Sequence, residues 1–146
     1  MRDEPLERLV GAAGLGRGAH ARFQHCLAAE ILDAHDLVEQ GIDHPLREVV
    51  LHRAKLAKEA GFDGVVASGH EAGSIRKCTG ADFLIVTPGV RPQGAPAQDQ
   101  TRAVTPAQAI EAGADYLVVG RPITRASDPR AAAEAIVAEI AAALPA

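Results

Sequence analysis

Asp82-Phe83-Leu84-Ile85-Val86-Thr87 is apolar without polar–apolar alternation. A strand with one wet face alternates and a strand covered on both faces does not, so this run predicts a strand inside a parallel sheet. Two other runs repeat the pattern, Asp63-Gly-Val-Val-Ala-Ser68 upstream and Tyr116-Leu-Val-Val119 downstream. Around them the spacing becomes helical. Residues 45–60 place Leu46, Val49, Val50, Leu56 and Ala57 near helical spacing and stop at Gly61, and a second helix runs from about His70 to Gly80. Thr105 and Pro106 open a third helix as N-cap and first residue, and Asp128-Pro129-Arg130 introduces an alanine-rich last helix reaching about Leu144. This alternation predicts βα units, parallel pairing and the α/β class, with about three strands. Each strand is preceded by Gly-X-Asp, at Gly61-Phe62-Asp63, Gly80-Ala81-Asp82 and Gly113-Ala114-Asp115. The repeat reads as a helix-to-strand turn without chemistry.

Composition bounds the rest. A chain of 146 residues, 47% hydrophobic and 23% charged, is sized and composed for one folded domain. Three Phe, one Tyr and no Trp leave too few rings for a base-stacking platform, and a net charge of −4 gives no general attraction for nucleic acid or an anionic membrane. Any phosphate must therefore be held by a local site. Cys26 and Cys78 form neither a disulfide framework nor a metal-ligand spacing. With no apolar run of about 20 residues and no signal-peptide pattern at the start, the expected compartment is cytoplasmic. The first 32 residues break the rhythm: they contain no convincing strand, and neither the Gly11, Gly14, Gly16 run nor the His20, His25, Cys26 grouping has the context of a nucleotide or metal motif.

Sites in parallel α/β proteins gather where strands end and the following loops begin. That rule selects Ser68, the loop opened by Thr87-Pro-Gly-Val-Arg91, and Gly120-Arg121. Residues 88–104 form a long stretch without periodicity, and loops of that length inside a compact domain are commonly functional. This one carries Arg91, Gln93, Gln98, Asp99, Gln100 and Arg102, a set suited to an anion and a polar ligand. Gly120 ends a buried strand with no Cβ to obstruct a ligand, Arg121 adds a permanent cation, and Pro122-Ile-Thr is expected to begin a helix whose dipole favours an anion.

The blocks Val86-Thr-Pro-Gly-Val-Arg-Pro-Gln-Gly94, Asp99-Gln100 and Asp115-Tyr-Leu-Val-Val-Gly-Arg-Pro122 resemble the carboxy-terminal half of the bacterial orotidine 5′-phosphate decarboxylase family. The resemblance runs from about residue 33 to the end. It implies part of a (β/α)₈ TIM barrel that converts orotidine monophosphate to uridine monophosphate and CO₂ in de novo pyrimidine synthesis, without a cofactor, as a homodimer. It implies that Arg91, Gly120 and Arg121 hold the substrate phosphate while Gln100 bridges phosphate and pyrimidine.

The chain departs from that family in two respects that bear on chemistry, and one is the fifth strand, where Cys26-Leu-Ala-Ala-Glu-Ile-Leu32 lacks the Thr that the resemblance would place against the pyrimidine. The family's Lys/Asp catalytic array has no counterpart here: the only lysines are Lys55, Lys58 and Lys77, all in helical segments. Decarboxylation needs a cation to protonate the developing carbanion. No catalytic residue is therefore assigned. The expectation is a leader over residues 1–32 that does not follow the family, a carboxy-terminal half-barrel over 33–146, and a truncated chain that is inactive alone and self-associates through uncovered sheet. Two alternatives stand beside it: a non-catalytic phosphate-binding half-barrel, and another phosphate-handling barrel lyase or isomerase.

Overall fold

The structure, a computed structural model, describes residues 9–11, 26–28, 34–93 and 102–144. Its elements run β1 (Leu9–Gly11), β2 (Cys26–Ala28), α1 (Ala34–Glu39), α2 (Leu46–Glu59), β3 (Gly64–Val66), α3 (Gly69–Thr79), β4 (Leu84–Thr87), α4 (Pro106–Glu111), β5 (Tyr116–Val119), α5 (Arg121–Thr124) and α6 (Pro129–Ala143). The three expected strands are β3, β4 and β5, and the expected helices are α2, α3, α4 and α6. Glycine at the repeated turn ends a helix each time: φ is +84° at Gly61 and Gly80 and +101° at Gly113, the left-handed region that residues with a Cβ avoid.

Local chemistry fixes the helix starts. Thr105 Oγ1 accepts the Gln108 amide at 3.1 Å while the Gln108 side chain accepts the Thr105 amide at 3.0 Å, a complete capping box with Pro106 in the first turn. Asp128 accepts the amides of Arg130 and Ala131, both at 3.0 Å, and so starts α6.

All sheet pairs are parallel, in the order β1-β5-β4-β3-β2. Two of these strands, β1 and β2, lie in the stretch expected to contain none. They are three-residue edge strands held by backbone pairing, Leu9–Gly11 to Leu117–Val119 and Cys26–Ala28 to Gly64–Val66. Pairing of that kind leaves no periodicity in so short a run.

The two faces of the sheet differ. Val65, Ala67 and Ile85 are buried with Val50, Ala54, Ala57, Ala72 and Ile75 of α2 and α3. Leu117 and Val119 are buried with Ala109, Ile110, Ile136 and Ile140 of α4 and α6. Side chains alternate along a strand, so Val66, Leu84, Val86, Tyr116 and Val118 point the other way. On that inner face Val66, Val86 and Tyr116 form one rung across β3, β4 and β5. Val86 and Tyr116 are buried, whereas Val66, Leu84 and Val118 are half-exposed. The strands read as covered on both faces are thus covered by helices on one and incompletely on the other.

The Gly-X-Asp turn also does more than turn the chain. Arg76 of α3 donates to the carbonyls of Gly80 (2.7 Å), Ala81 (3.2 Å), Phe83 (2.6 Å) and Gly113 (2.9 Å) and pairs with the Asp115 carboxylate. Asp115 in turn accepts the Ile85 amide at 2.8 Å. One guanidinium therefore ties the end of α3 to the starts of β4 and β5, at the edge of the sheet opposite the strand ends that the candidate site occupies. Among the described residues no helix is long and apolar enough to cross a membrane.

Candidate functional site

Three connections leave the carboxy-terminal edge of the sheet. After β3 the chain continues its ladder through the Ala67 amide, 2.9 Å from the Val86 carbonyl, and reaches Ser68, whose buried hydroxyl accepts the His70 amide at 3.3 Å and starts α3. Three residues on, Glu71 is only 4% exposed and pairs with Arg102. Its second oxygen, Oε2, is buried without a hydrogen-bond partner among the described residues.

At the end of β4, Thr87 is fully buried and its hydroxyl has no partner among the described residues. Gly89 then takes φ +73° and turns the chain so that Val90 bridges Val104 in parallel, with the Arg91 amide 2.9 Å from the Val104 carbonyl. The long loop, expected to lack structure, therefore has its two ends joined. Long-range backbone pairing of this kind leaves no local sequence signal. The joint buries Arg91 to 9% exposure, and its Nη1 donates to the Val90 carbonyl at 2.9 Å. Among the described residues no carboxylate pairs with Arg91. Burial of a cation beside a neutral carbonyl alone is unfavourable, so an anion that reached it would relieve a standing desolvation cost.

After β5, Gly120 precedes α5, and a Cβ built there would meet nothing within 4 Å. The approach to this backbone is open, as the sequence suggested. The helix that follows is not the expected one. It is a single turn of four residues, the amides of Ile123 (2.9 Å) and Thr124 (3.0 Å) both bond the Gly120 carbonyl, and Pro122 has no amide to give. A macrodipole needs aligned turns, so the anticipated dipole contribution is not available. Arg121 is half-buried in this turn.

Parallel pairing of β4 and β5 puts Arg91, Gly120 and Arg121 on one edge of the sheet, each within four residues of a strand end. Gln98, Asp99 and Gln100 lie outside the described residues, as do the side chains of His20, His25 and Cys26. Lys55, Lys58 and Lys77 are exposed on α2 and α3, where Lys58 donates to the Thr79 carbonyl, and so lie on the outer helical layer. The sequence reading passed over Glu71. Glu71 stands three residues after the Ser68 N-cap, where a capping box would turn its carboxylate back to the cap amide, and it turns to Arg102 instead.

Comparison with known proteins places these observations. Residues 30–136 match the family described as Orotidine 5′-phosphate decarboxylase / HUMPS family. A protein of Trichlorobacter lovleyi named orotidine 5′-phosphate decarboxylase is 63% identical over 102 residues, covering 70% of this chain and 42% of that protein. One of Methylobacterium radiotolerans with the same name is 52% identical over 130 residues, 89% of this chain and 56% of that one. This chain spans about half the length of the curated relatives it matches. Among solved structures, orotidine 5′-phosphate decarboxylase from Lactobacillus acidophilus superposes with a TM-score of 0.60 at 46% identity, over 72% of this chain and 43% of that one. The enzyme from Pyrococcus horikoshii gives 0.60 at 26% identity, over 96% and 70%. The parallel βα sheet is thus part of a TIM barrel, as the blocks around Arg91 and Gly120 implied.

Proposed function

This chain belongs to the orotidine 5′-phosphate decarboxylase / HUMPS family, and from that premise we propose that it is the phosphate-binding part of an enzyme converting orotidine monophosphate to uridine monophosphate and CO₂. The observation that carries the reading is Arg91, a buried guanidinium without a carboxylate partner among the described residues, at the strand edge that also presents Gly120 and Arg121. Arg91, Arg121 and the Gly120 backbone hold the phosphate, and Gln100 reaches from the loop toward phosphate and pyrimidine. The substrate is a nucleotide monophosphate, no cofactor takes part, and the reaction is cytoplasmic. Residues 33–146 supply the family's carboxy-terminal half. The working assembly is a homodimer.

Loss of CO₂ leaves an electron pair on the pyrimidine carbon, and a nearby cation must supply a proton to it. All three lysines sit on the outer helices. This favours a second description for the chain by itself, a phosphate-binding half-barrel that does not turn over.

The test is titration of the chain with uridine monophosphate and with uridine, followed by NMR or calorimetry. Charge-assisted bonds contribute about 1.5–3 kcal/mol each, but ordering the loop subtracts from their sum, so affinity on the order of millimolar is expected for the monophosphate. The nucleoside should bind far more weakly. Arg121→Ala should remove most of the binding, and Arg130→Ala, on exposed α6 beside Glu134, should not. Equal binding of nucleoside and monophosphate, or an unchanged Arg121→Ala variant, refutes the phosphate site.

A further inference from the structure

Glu71 has no part in the site as proposed, yet it is a carboxylate 4% exposed, on the first turn of α3, with one oxygen on Arg102 and the other buried without a partner among the described residues. A buried carboxylate with an unsatisfied oxygen is costly and needs an explanation. The ordinary use of a glutamate three residues after a serine N-cap is the reciprocal bond back to the cap amide. Glu71 instead crosses to Arg102, 31 residues away.

The consequences of that contact run along a short, rigid path. Two residues after Arg102, Val104 lies against the start of α3, where a Cβ on Gly69 would come within 2.7 Å of the Val104 Cγ2. Only glycine at position 69 lets Val104 seat there. Val104 also bridges Val90, and its carbonyl takes the Arg91 amide at 2.9 Å. Residues 102–104 are therefore fastened to α3 at two points, by charge at Glu71 and by van der Waals contact at Gly69, and Arg91 is fastened to residues 102–104. We infer that Glu71 is a positioning residue for the phosphate site: by holding Arg102 it fixes Val104, and through the Val104 carbonyl it sets where Arg91 presents its guanidinium. This inference rests on the phosphate reading for its functional meaning, but the mechanical link from Glu71 to Arg91 stands or falls on its own.

The experiment reads hydrogen exchange at two backbone amides in the full 146-residue chain. The Arg91 amide reports the link, and the Ile85 amide, bonded to Asp115 at the opposite edge of the sheet, reports general integrity. Glu71→Gln should speed exchange at Arg91 at least tenfold while leaving Ile85 within twofold of the parent. In the same samples the dissociation constant for uridine monophosphate should rise at least fivefold. Arg102→Ala should reproduce both effects from the more exposed side of the pair, and Arg102→Lys, which keeps the charge, should recover Arg91 protection to within about threefold. Unchanged exchange at Arg91 in Glu71→Gln overturns the inference. If Glu71→Gln also exposes Ile85, the variant has lost its fold and Arg102→Ala decides: selective acceleration at Arg91 supports the link, and no acceleration overturns it. If the parent chain does not distinguish uridine monophosphate from uridine, the phosphate reading fails, and the exchange at Arg91 still decides whether Glu71 positions it.

Discussion

Replacing Arg76 by alanine removes a side chain that holds four backbone carbonyls and the Asp115 carboxylate. Counting each contact at the value of a charge-assisted bond overstates the loss. One nitrogen, Nη1, serves the carbonyls of Gly80, Ala81 and Phe83, and the first two are exposed, so they return to water when the guanidinium leaves. The lasting cost falls on Phe83, Gly113 and Asp115, whose bonds to Arg76 are partly buried. Two orphaned neutral carbonyls and one carboxylate about a fifth exposed point to the lower end of the range for breaking a buried pair, about 3 kcal/mol. Urea unfolding followed by circular dichroism measures this. With an m-value of about 2 kcal/mol/M the midpoint should fall by about 1.5 M. Asp115→Asn keeps an acceptor for the Ile85 amide and should cost less, about 1–2 kcal/mol. Because the two residues touch, the double variant should cost less than the sum, by about 1 kcal/mol or more. A midpoint shift below about 0.5 M for Arg76→Ala, or strict additivity with Asp115→Asn, refutes the clamp as a stabilising unit.

Three further outcomes are expected. Gly64→Ala puts a Cβ 2.3 Å from the Leu84 carbonyl oxygen, so β3 and β4 must part and the chain should lose about 1–3 kcal/mol in the same urea assay; an unchanged midpoint contradicts the register. The purified chain, free of host enzyme, should show no decarboxylation of orotidine monophosphate by absorbance, since no lysine stands at the strand ends, and measurable turnover refutes the reading. The half-exposed inner-face residues Val66, Leu84 and Val118 should drive concentration-dependent association in sedimentation, and a single monomer species at all concentrations counts against it.

What was legible in the sequence followed periodicity and local chemistry. The runs at 63–68, 82–87 and 116–119 carried enough apolar residues to show as strands, and Thr105, Pro106 and Asp128 announced helix starts through bonds made within three residues. What stayed hidden depends on partners far along the chain. The edge strands β1 and β2 exist through pairing to β5 and β3, and the bridge from Val90 to Val104 joins two ends of a loop whose sequence carries no periodicity. Asp115 read as a turn residue because its partner, Arg76, lies 39 positions away. The unbroken apolar runs correctly predicted strands of a parallel sheet, but they could not assign which face the helices cover. The strand-end rule located Arg91, Gly120 and Arg121 on one edge, and it missed Glu71, which lies inside α3 and meets its partner Arg102 31 residues away.

Tyr116 sits in the rung between Val86 and the next strand over, buried on the face that the helices leave alone. It is the chain's single tyrosine, and there is no tryptophan. The protein therefore carries one dominant fluorophore, placed where any covering of the inner face would be felt. A complementary chain, a second copy or a nucleotide base entering there would change the polarity and quenching around one phenol ring, with no indole emission to mask it. Assembly and filling of the sheet's interior can thus be followed optically on the unmodified polypeptide, without a label that would itself compete for the same surface.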